Sequence, residues 1–381
     1  MTKTKSKKYE HVFSYTDRKG SKLWGFRYRY YDSLGNRREK AKQGFASEKD
    51  AYRGVLEVQT QVINGDTKRV ENSSLTISEW LDIWYETHKG DWAVSSLLQR
   101  KNAIQYQMKP LIGHYRLADL DKSTYKREYL NVLAKKYKPS TVKLFHRLFK
   151  IAVNAAVDDE IIPRNRFSKI SLVDEESSEN YYSAEELREF LTIAEDTENI
   201  TNYTFIYLLA YTGLRRGEAQ GLQWDDVDFE KKTLTVGRTR DVNGDRKPKT
   251  KRSRRTIKLD DLVLHQLKLY RTWCKKTMLT FGEKMKDTDF IFISRQSGKP
   301  IGDNTIKYAF ERILNQTDLK YITPHGLRHT HCTLLIQAKI PVPTIAERLG
   351  NTPQMIHSVY GHALKEVEEE SVESFSRIMN M

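Results

Sequence analysis

The chain has 381 residues, enough for two or three domains, and 65 Lys and Arg stand against 50 Asp and Glu for a net charge of +15. That balance points to a polyanionic partner, and the 21 Tyr, 14 Phe and 6 Trp interleaved with the basic groups exclude a disordered basic tail. The two cysteines, Cys274 and Cys332, lack metal-ligand spacing, the opening MTKTKSKKYE lacks a signal-peptide apolar stretch, and no run nears the roughly 20 apolar residues of a membrane span, so a reducing, cytoplasmic setting is expected.

Residues 1–70 hold 17 Lys and Arg against 8 Asp and Glu, so nine of the fifteen net positive charges lie there. Within KLWGFRYRYYD, Trp24, Phe26, Tyr28 and Tyr30 alternate with Arg27 and Arg29, the period of a strand. Ser33–Asn36 reads as a turn and NRREKAKQGF as the returning strand. Ser47 then caps a helix to about Val62, with Ala51, Val55, Val58 and Val62 on one face. A short sheet backed by one helix suits insertion of strands into a DNA major groove. Arg27, Arg29, Arg37, Arg38 and Lys40 are the side chains best placed to read it. Asn64-Gly65-Asp66 opens a polar linker to about Ser74.

Thr76 and Glu79 form a capping box for a helix whose apolar stripe is Trp80, Ile83 and Trp84. Helical patterns follow near Ser95–Leu111 and Ser123–Ala134. Ser140 opens a long helix with Val142, Phe145, Leu148, Phe149 and Ala152 as its core face and Lys143, Arg147 and Lys150 as a basic side. Pro163-Arg164-Asn165 breaks it. The acidic VDEESSEN, residues 173–180, reads as an interdomain linker, and a second capping box, Ser183 with Glu186, opens the last domain.

Three stretches of that domain carry chemistry. In TGLRRGEAQGLQWDDVDF, Thr212–Phe229, Gly213 relaxes the entry to a helix, and Arg215 and Glu218 lie three apart, so the carboxylate can hold the guanidinium. Strands around Asn243-Gly244 precede Arg246–Lys258, which holds eight Lys or Arg. In TPHGLRHTHCTLLIQAKIPVPTIAERLGNTPQMIHSVY, Thr323 caps a helix with Pro324 at its first position, and His325 and Arg328 face one side of the first turn. Free amides and the partial positive charge at that helix start make a phosphate site. Gly350 ends a helix, Thr352-Pro353 starts the next, and Tyr360 lies where that one runs out.

On TGLRRGE, KPKTKRSRRTIKL, TPHGLRHTHCTLL and ERLGNTPQMIHSVYGH the chain resembles the tyrosine site-specific recombinases, in particular phage-type integrases. The resemblance covers nearly the whole chain and is strongest from about Tyr182 onward. It implies a multidomain α+β fold. A small β-sheet-plus-helix module, residues 1–65, would bind arm-type DNA sites, and an all-α core-binding domain would span 75–170. A mixed, mainly α catalytic domain with a small antiparallel sheet would span 180–381.

By the same resemblance Arg215 and Arg328 are the catalytic arginines, with Glu218 supporting Arg215 and Arg216 the alternative for the first. Lys249 is the general acid to the leaving 5′ oxygen, with Lys251 its rival, and Lys251 and Arg252 touch DNA. His325 assists proton transfer and Tyr360 is the nucleophile, while His329 and His331 are structural. Attack by Tyr360 would give a 3′-phosphotyrosine and a free 5′ hydroxyl, so rejoining needs no ATP, metal or other cofactor. One position departs from the family: Asn351 stands where His or Trp is usual, and Asn donates a hydrogen bond but is neither acid nor cation.

The implied partners are double-stranded DNA with core-type and arm-type sites, a homotetramer on that DNA, a host DNA-bending protein and an excision factor. The implied role is integration and excision of a phage or other mobile element. Two other readings are a catalytically silent DNA-binding protein and a type IB topoisomerase-like relaxing enzyme. The intact set of site residues argues against the first, and the basic N-terminal module against the second. The tail after Tyr360 reads as a helix that packs on its own domain or on a neighbouring protomer.

Overall fold

Alternation along residues 22–31 builds the first sheet. The computed structural model describes residues 3–32, 35–173, 180–242, 244–246, 253–361, 376 and 379. The chain divides into two compact units, residues 1–176 and 177–381.

In the first unit β1 (Thr4–Lys5), β2 (Val12–Thr16), β3 (Lys22–Tyr31) and β4 (Arg37–Phe45) form an antiparallel sheet in sequence order. β1 and β2 lie outside the pair of strands legible in the sequence. Helix α1 (Glu48–Ile63) starts at Ser47, whose side chain accepts from Asp50 N. It buries Ala51, Val55 and Val58 against Phe26 and Tyr30 of β3. Gly54 permits the close approach, since a Cβ there would lie 2.6 Å from the Phe26 ring.

The segment expected to be a polar linker is helical instead. α2 (Thr67–Glu71) puts Val70 into the core of the sheet module, because one apolar residue finds a dry partner there.

Helix α3 (Ile77–His88) has the expected capping box, with Thr76 and Glu79 each satisfying the other's backbone N–H. Its buried stripe is Ile77, Trp80, Leu81 and Trp84, and Ile83 is 49% exposed, so the stripe runs one position away from the expected one. Trp80 Nε1 donates to Ala152 O at 2.8 Å, which lets the indole be buried whole. α4 (Val94–Ala103) continues through a π-helical turn into α5 (Lys109–Ile112), and α6 (Lys122–Tyr125) does the same into α7 (Asn131–Ala134). The long α8 (Pro139–Asp158) closes this helical core with Val142, Leu148, Phe149, Ala152 and Val153.

In the second unit α9 (Ala184–Thr197) starts at the Ser183–Glu186 capping box. α10 (Ile200–Thr212) is apolar nearly all round and runs through the middle of the core. After α11 (Arg216–Gln220), β5 (Val227–Asp228) and β6 (Thr233–Val236) join an antiparallel sheet completed by β9 (Arg255–Lys258). Between them β7 (Thr239–Asp241) and β8 (Gly244–Arg246) form a hairpin. The helices α12 (Asp261–Thr280), α13 (Thr305–Leu314), α14 (Gly326–Gln337), α15 (Val342–Leu349) and α16 (353–361) follow.

The start of α14 differs from expectation. Thr323 Oγ1 accepts from Asn180 Nδ2 at 3.2 Å and does not cap the helix. Its carbonyl instead accepts from Gly326 N at 2.7 Å, so the chain turns through Pro324 and His325 before the helix begins. Gly350 ends α15 in the left-handed conformation, φ 65°, and Thr352 Oγ1 accepts from Met355 N at the start of α16, both as the sequence implies.

Candidate active site

The site begins at Gly213. It closes α10 with φ 65°, and a Cβ there would lie 2.6 Å from Leu349 Cδ2 and 2.8 Å from His331 Cδ2. Its role is therefore to end one helix and let α15 close in. The Gly213 carbonyl accepts from Arg328 Nη1 at 2.8 Å, and the Leu349 carbonyl accepts from Arg328 Nη2 at 2.8 Å. Arg328 is only 2% exposed. Burial, then the Arg215 charge, lowers its pKa to about 10, so it remains a cation at neutral pH.

Arg215 is the N-cap of α11. Glu218, one turn on, accepts from Arg215 N at 3.0 Å and from Arg215 Nη1 at 2.8 Å. The other guanidinium nitrogen, Nη2, donates to Asn351 Oδ1 at 2.8 Å. Glu218 is buried and also receives Arg255, Nη2 at 3.0 Å and Nη1 at 3.4 Å. Burial alone would raise its carboxyl; hydrogen bonding and charge from Arg255, then Arg215, outweigh that and hold it below the usual range. Arg216, the alternative to Arg215, is turned away and donates to Asp303 O at 3.1 Å.

His325 lies at the head of α14 with its outer edge open to solvent. Desolvation on its protein side, His329 and the Arg328 and Arg215 charges lower its pKa to about 4. His329 stands edge-on to His325, ring centroids 4.9 Å apart, and 5.4 Å from the Tyr360 ring. Tyr360 is 4% exposed and packs with Cys332, Ile336, Ile345 and Ile356. Burial and the neighbouring Cys332 thiol raise its phenol above 10, while Arg328 and Arg215 pull it down. The Cys332 thiol is itself pushed up to about 12 by burial. The structure thus brings Arg215, Glu218, His325, Arg328, Asn351 and Tyr360 to one place. Lys249, Lys251 and Arg252 lie outside the described residues, as do Asn243 and most of the acidic segment 173–180.

Sequence reasoning missed Arg255 and Arg348 here, and it read His331 as structural. Arg255 occupies an inward position of β9, where Ile257 is the next inward residue. A basic residue at an inward strand position was the available signal. His331 accepts from Arg348 Nε at 3.1 Å, and its Nδ1 lies 3.0 Å from Ala210 O. Arg348 also reaches the Lys258 and Tyr211 carbonyls at 3.2 Å. These three tie β9, α10, α14 and α15 together behind the site.

The residues expected to read DNA in the N-terminal sheet divide between its faces. Register pairs Arg27 with Ala41, Arg29 with Glu39 and Tyr31 with Arg37, all on the face away from α1. Glu39 lies 3.0 Å from both Arg27 Nε and Arg29 Nε. Arg38 and Lys40 lie on the α1 side. Arg38 Nε bonds Asp32 at 3.0 Å, while Lys40 Nζ donates to Val70 O at 2.7 Å and to Ser73 Oγ.

Helices that converge two arginines and a histidine on one tyrosine define the tyrosine recombinase class. Family models agree along the chain: the phage integrase family matches residues 180–366, the arm DNA-binding domain 13–62, and the phage integrase N-terminal SAM-like domain 76–134. A tyrosine recombinase XerC-like protein of Caldanaerobacter subterraneus subsp. tengcongensis is 29% identical over 299 residues, 72% of this chain and 74% of that one. The fold is shared with the Tn1549 transposon integrase, solved with a circular intermediate DNA (TM-score 0.67, 22% identity, 78% of this chain and 100% of that one). It is shared too with lambda integrase, solved as a tetramer on a Holliday junction (TM-score 0.57, 18% identity, 91% and 97%).

The chain belongs to the phage integrase family of tyrosine recombinases, enzymes that cleave and rejoin DNA. No helix among the described residues is long and apolar enough to cross a membrane.

Proposed function

We propose that the protein recombines two DNA sites through a 3′-phosphotyrosine on Tyr360, integrating and excising a mobile element. The observation that carries this reading is geometric: Arg215, held by Glu218 and Asn351, and Arg328, held by the Gly213 and Leu349 carbonyls, converge on the site where His325, His329 and Tyr360 stand ring to ring. Two guanidinium cations, both charged at neutral pH and gathered with a phenol, suit clamping the non-bridging oxygens of a phosphodiester.

The chemistry follows from the groups. The phenol oxygen bonds to phosphorus, the phosphorus–5′-oxygen bond breaks, and the 5′ oxygen takes a proton from a basic-segment lysine, Lys249 or Lys251. The phenol proton passes to an acceptor, for which neutral His325 is suited. Asn351 steers Arg215 and can donate its amide to a phosphate oxygen. Attack of a 5′ hydroxyl on the phosphotyrosine reverses the step and conserves the bond energy.

In this reading residues 1–65 bind arm-type sites, 75–170 close over core-type DNA and 180–381 carry catalysis. The protein works in the cytoplasm as a homotetramer, the state of the lambda integrase on a Holliday junction. A host DNA-bending protein and an excision factor would set direction.

Covalent trapping tests the proposal. Full-length protein is mixed with nicked DNA carrying the attachment site of its own element, and denaturation-resistant adduct is measured beside Tyr360→Phe. Adduct from wild type alone is expected. Binding without adduct would leave the silent DNA-binding reading, and adduct from the variant would place the nucleophile elsewhere.

A further inference from the structure

The geometry points to Arg255 as the positioning residue that holds Arg215 and Arg328 in register; this rests on the reading of those two as phosphate clamps. Arg255 is buried beside Glu218 at an inward position of β9, where a guanidinium left without partners would be strongly destabilising. It is fully engaged: Nε donates to Arg348 O at 2.6 Å, Nη1 to Ser253 O at 3.2 Å, and Nη1 and Nη2 to the two oxygens of Glu218. With Nε, Nη1 and Nη2 all held by protein acceptors, it acts through other residues and not on DNA.

Its contacts reach both clamps. Through Glu218 it touches the group that holds Arg215. Without Arg255, the Glu218 carboxylate would be balanced by Arg215 alone. The Arg215 fork would then close on both oxygens in the bidentate pairing a carboxylate favours. With Arg255 present, the Arg215 side chain gives Glu218 only Nη1 and keeps Nη2 on Asn351, and it stays 36% exposed for a phosphate.

Through Arg348 O it touches the other side. Arg348 and Leu349 are consecutive carbonyls at the end of α15; the first accepts from Arg255 and the second from Arg328. The negative end of that helix thus anchors two guanidinium groups at adjacent points.

The test is single-turnover cleavage of the nicked attachment-site DNA by full-length Arg255→Lys and Arg255→Gln, with Arg215→Ala as control. The scissile group is either an ordinary phosphate or a methylphosphonate, which lacks the charge the clamps must neutralise. Arg255→Gln should slow ordinary cleavage on the order of 10²-fold, the scale for losing one oriented donor. It should slow methylphosphonate cleavage at least tenfold less, with Arg255→Lys between the two.

A merely structural defect would slow both substrates equally, and that result, or an unchanged rate, overturns the inference. A cycle with Glu218→Gln covers poor folding of the single variant. With the carboxylate gone, Arg255→Gln should cost little more, whereas full additivity of the two losses would also overturn it. If Arg215→Ala itself spares the ordinary substrate, the clamp reading fails and not the role of Arg255.

Discussion

Asn351 Oδ1 accepts a hydrogen bond from Arg215 Nη2 at 2.8 Å, joining the end of α15 to the start of α11 across 136 residues of sequence. The position where the family usually places His or Trp is therefore used to aim an arginine. Asn351→Ala should slow single-turnover cleavage about tenfold by releasing that fork. Asn351→Asp should be much slower still, since a second carboxylate on Arg215 repels the phosphate. Quenched-flow rates on the nicked substrate decide it; equal rates for Ala and Asp would mean that Arg215 does not depend on this contact.

The lowered pKa of His325, about 4, sets the pH dependence of proton acceptance. A base whose pKa falls stays neutral above that value, so its accepting form persists from pH 8 down to about pH 5 and is lost only as pH approaches 4. The single-turnover profile should show no acid limb near 6.5, the ordinary histidine value. An inflection at 6.5 that vanishes in His325→Gln would contradict this environment.

Glu39 lies between Arg27 and Arg29 on the open face of the N-terminal sheet. A carboxylate there opposes phosphate but accepts from a cytosine amino group, while the arginines donate to guanine. Glu39→Gln should strengthen binding to random duplex severalfold and steepen its salt slope by about one, with less gain on the arm-type site. Fluorescence anisotropy against salt reads both, and equal gains on both DNAs would deny Glu39 a part in selectivity.

His146 is buried in the helical core, 3.0 Å from the Tyr125 hydroxyl, and desolvation with the Lys150 charge lowers its pKa to about 4. The unfolded chain takes up a proton near pH 6.5 that the folded chain refuses. Its stabilising contribution is thus complete above 6.5 and lost as pH falls towards 4, by about 3 kcal/mol in all. Urea midpoints of wild type should fall across that window, and those of His146→Gln less steeply. Parallel curves would assign the acid sensitivity to other groups.

The capping boxes at Thr76 and Ser183, the cap at Ser47, the αL glycine at 350 and the Arg215–Glu218 pair were legible in the sequence. Each depends on groups within one turn of helix, where spacing sets distance. Strand alternation likewise separated Arg27 and Arg29 from Phe26 and Tyr30. Thr323 failed as a cap because its hydroxyl goes to Asn180, 143 residues earlier. Val70 left the expected linker because a distant sheet had room for it.

The types and order of the site residues were therefore set by the chain itself. Their coordination was decided by the tertiary structure. Arg328 is held by the carbonyls of Gly213 and Leu349, Arg215 by Asn351, and Glu218 by Arg255. Lys40 turned inward to Val70. A buried charge takes whichever donor or acceptor the packed elements bring within 3 Å, and that choice depends on how helices and strands approach one another, which no local spacing encodes.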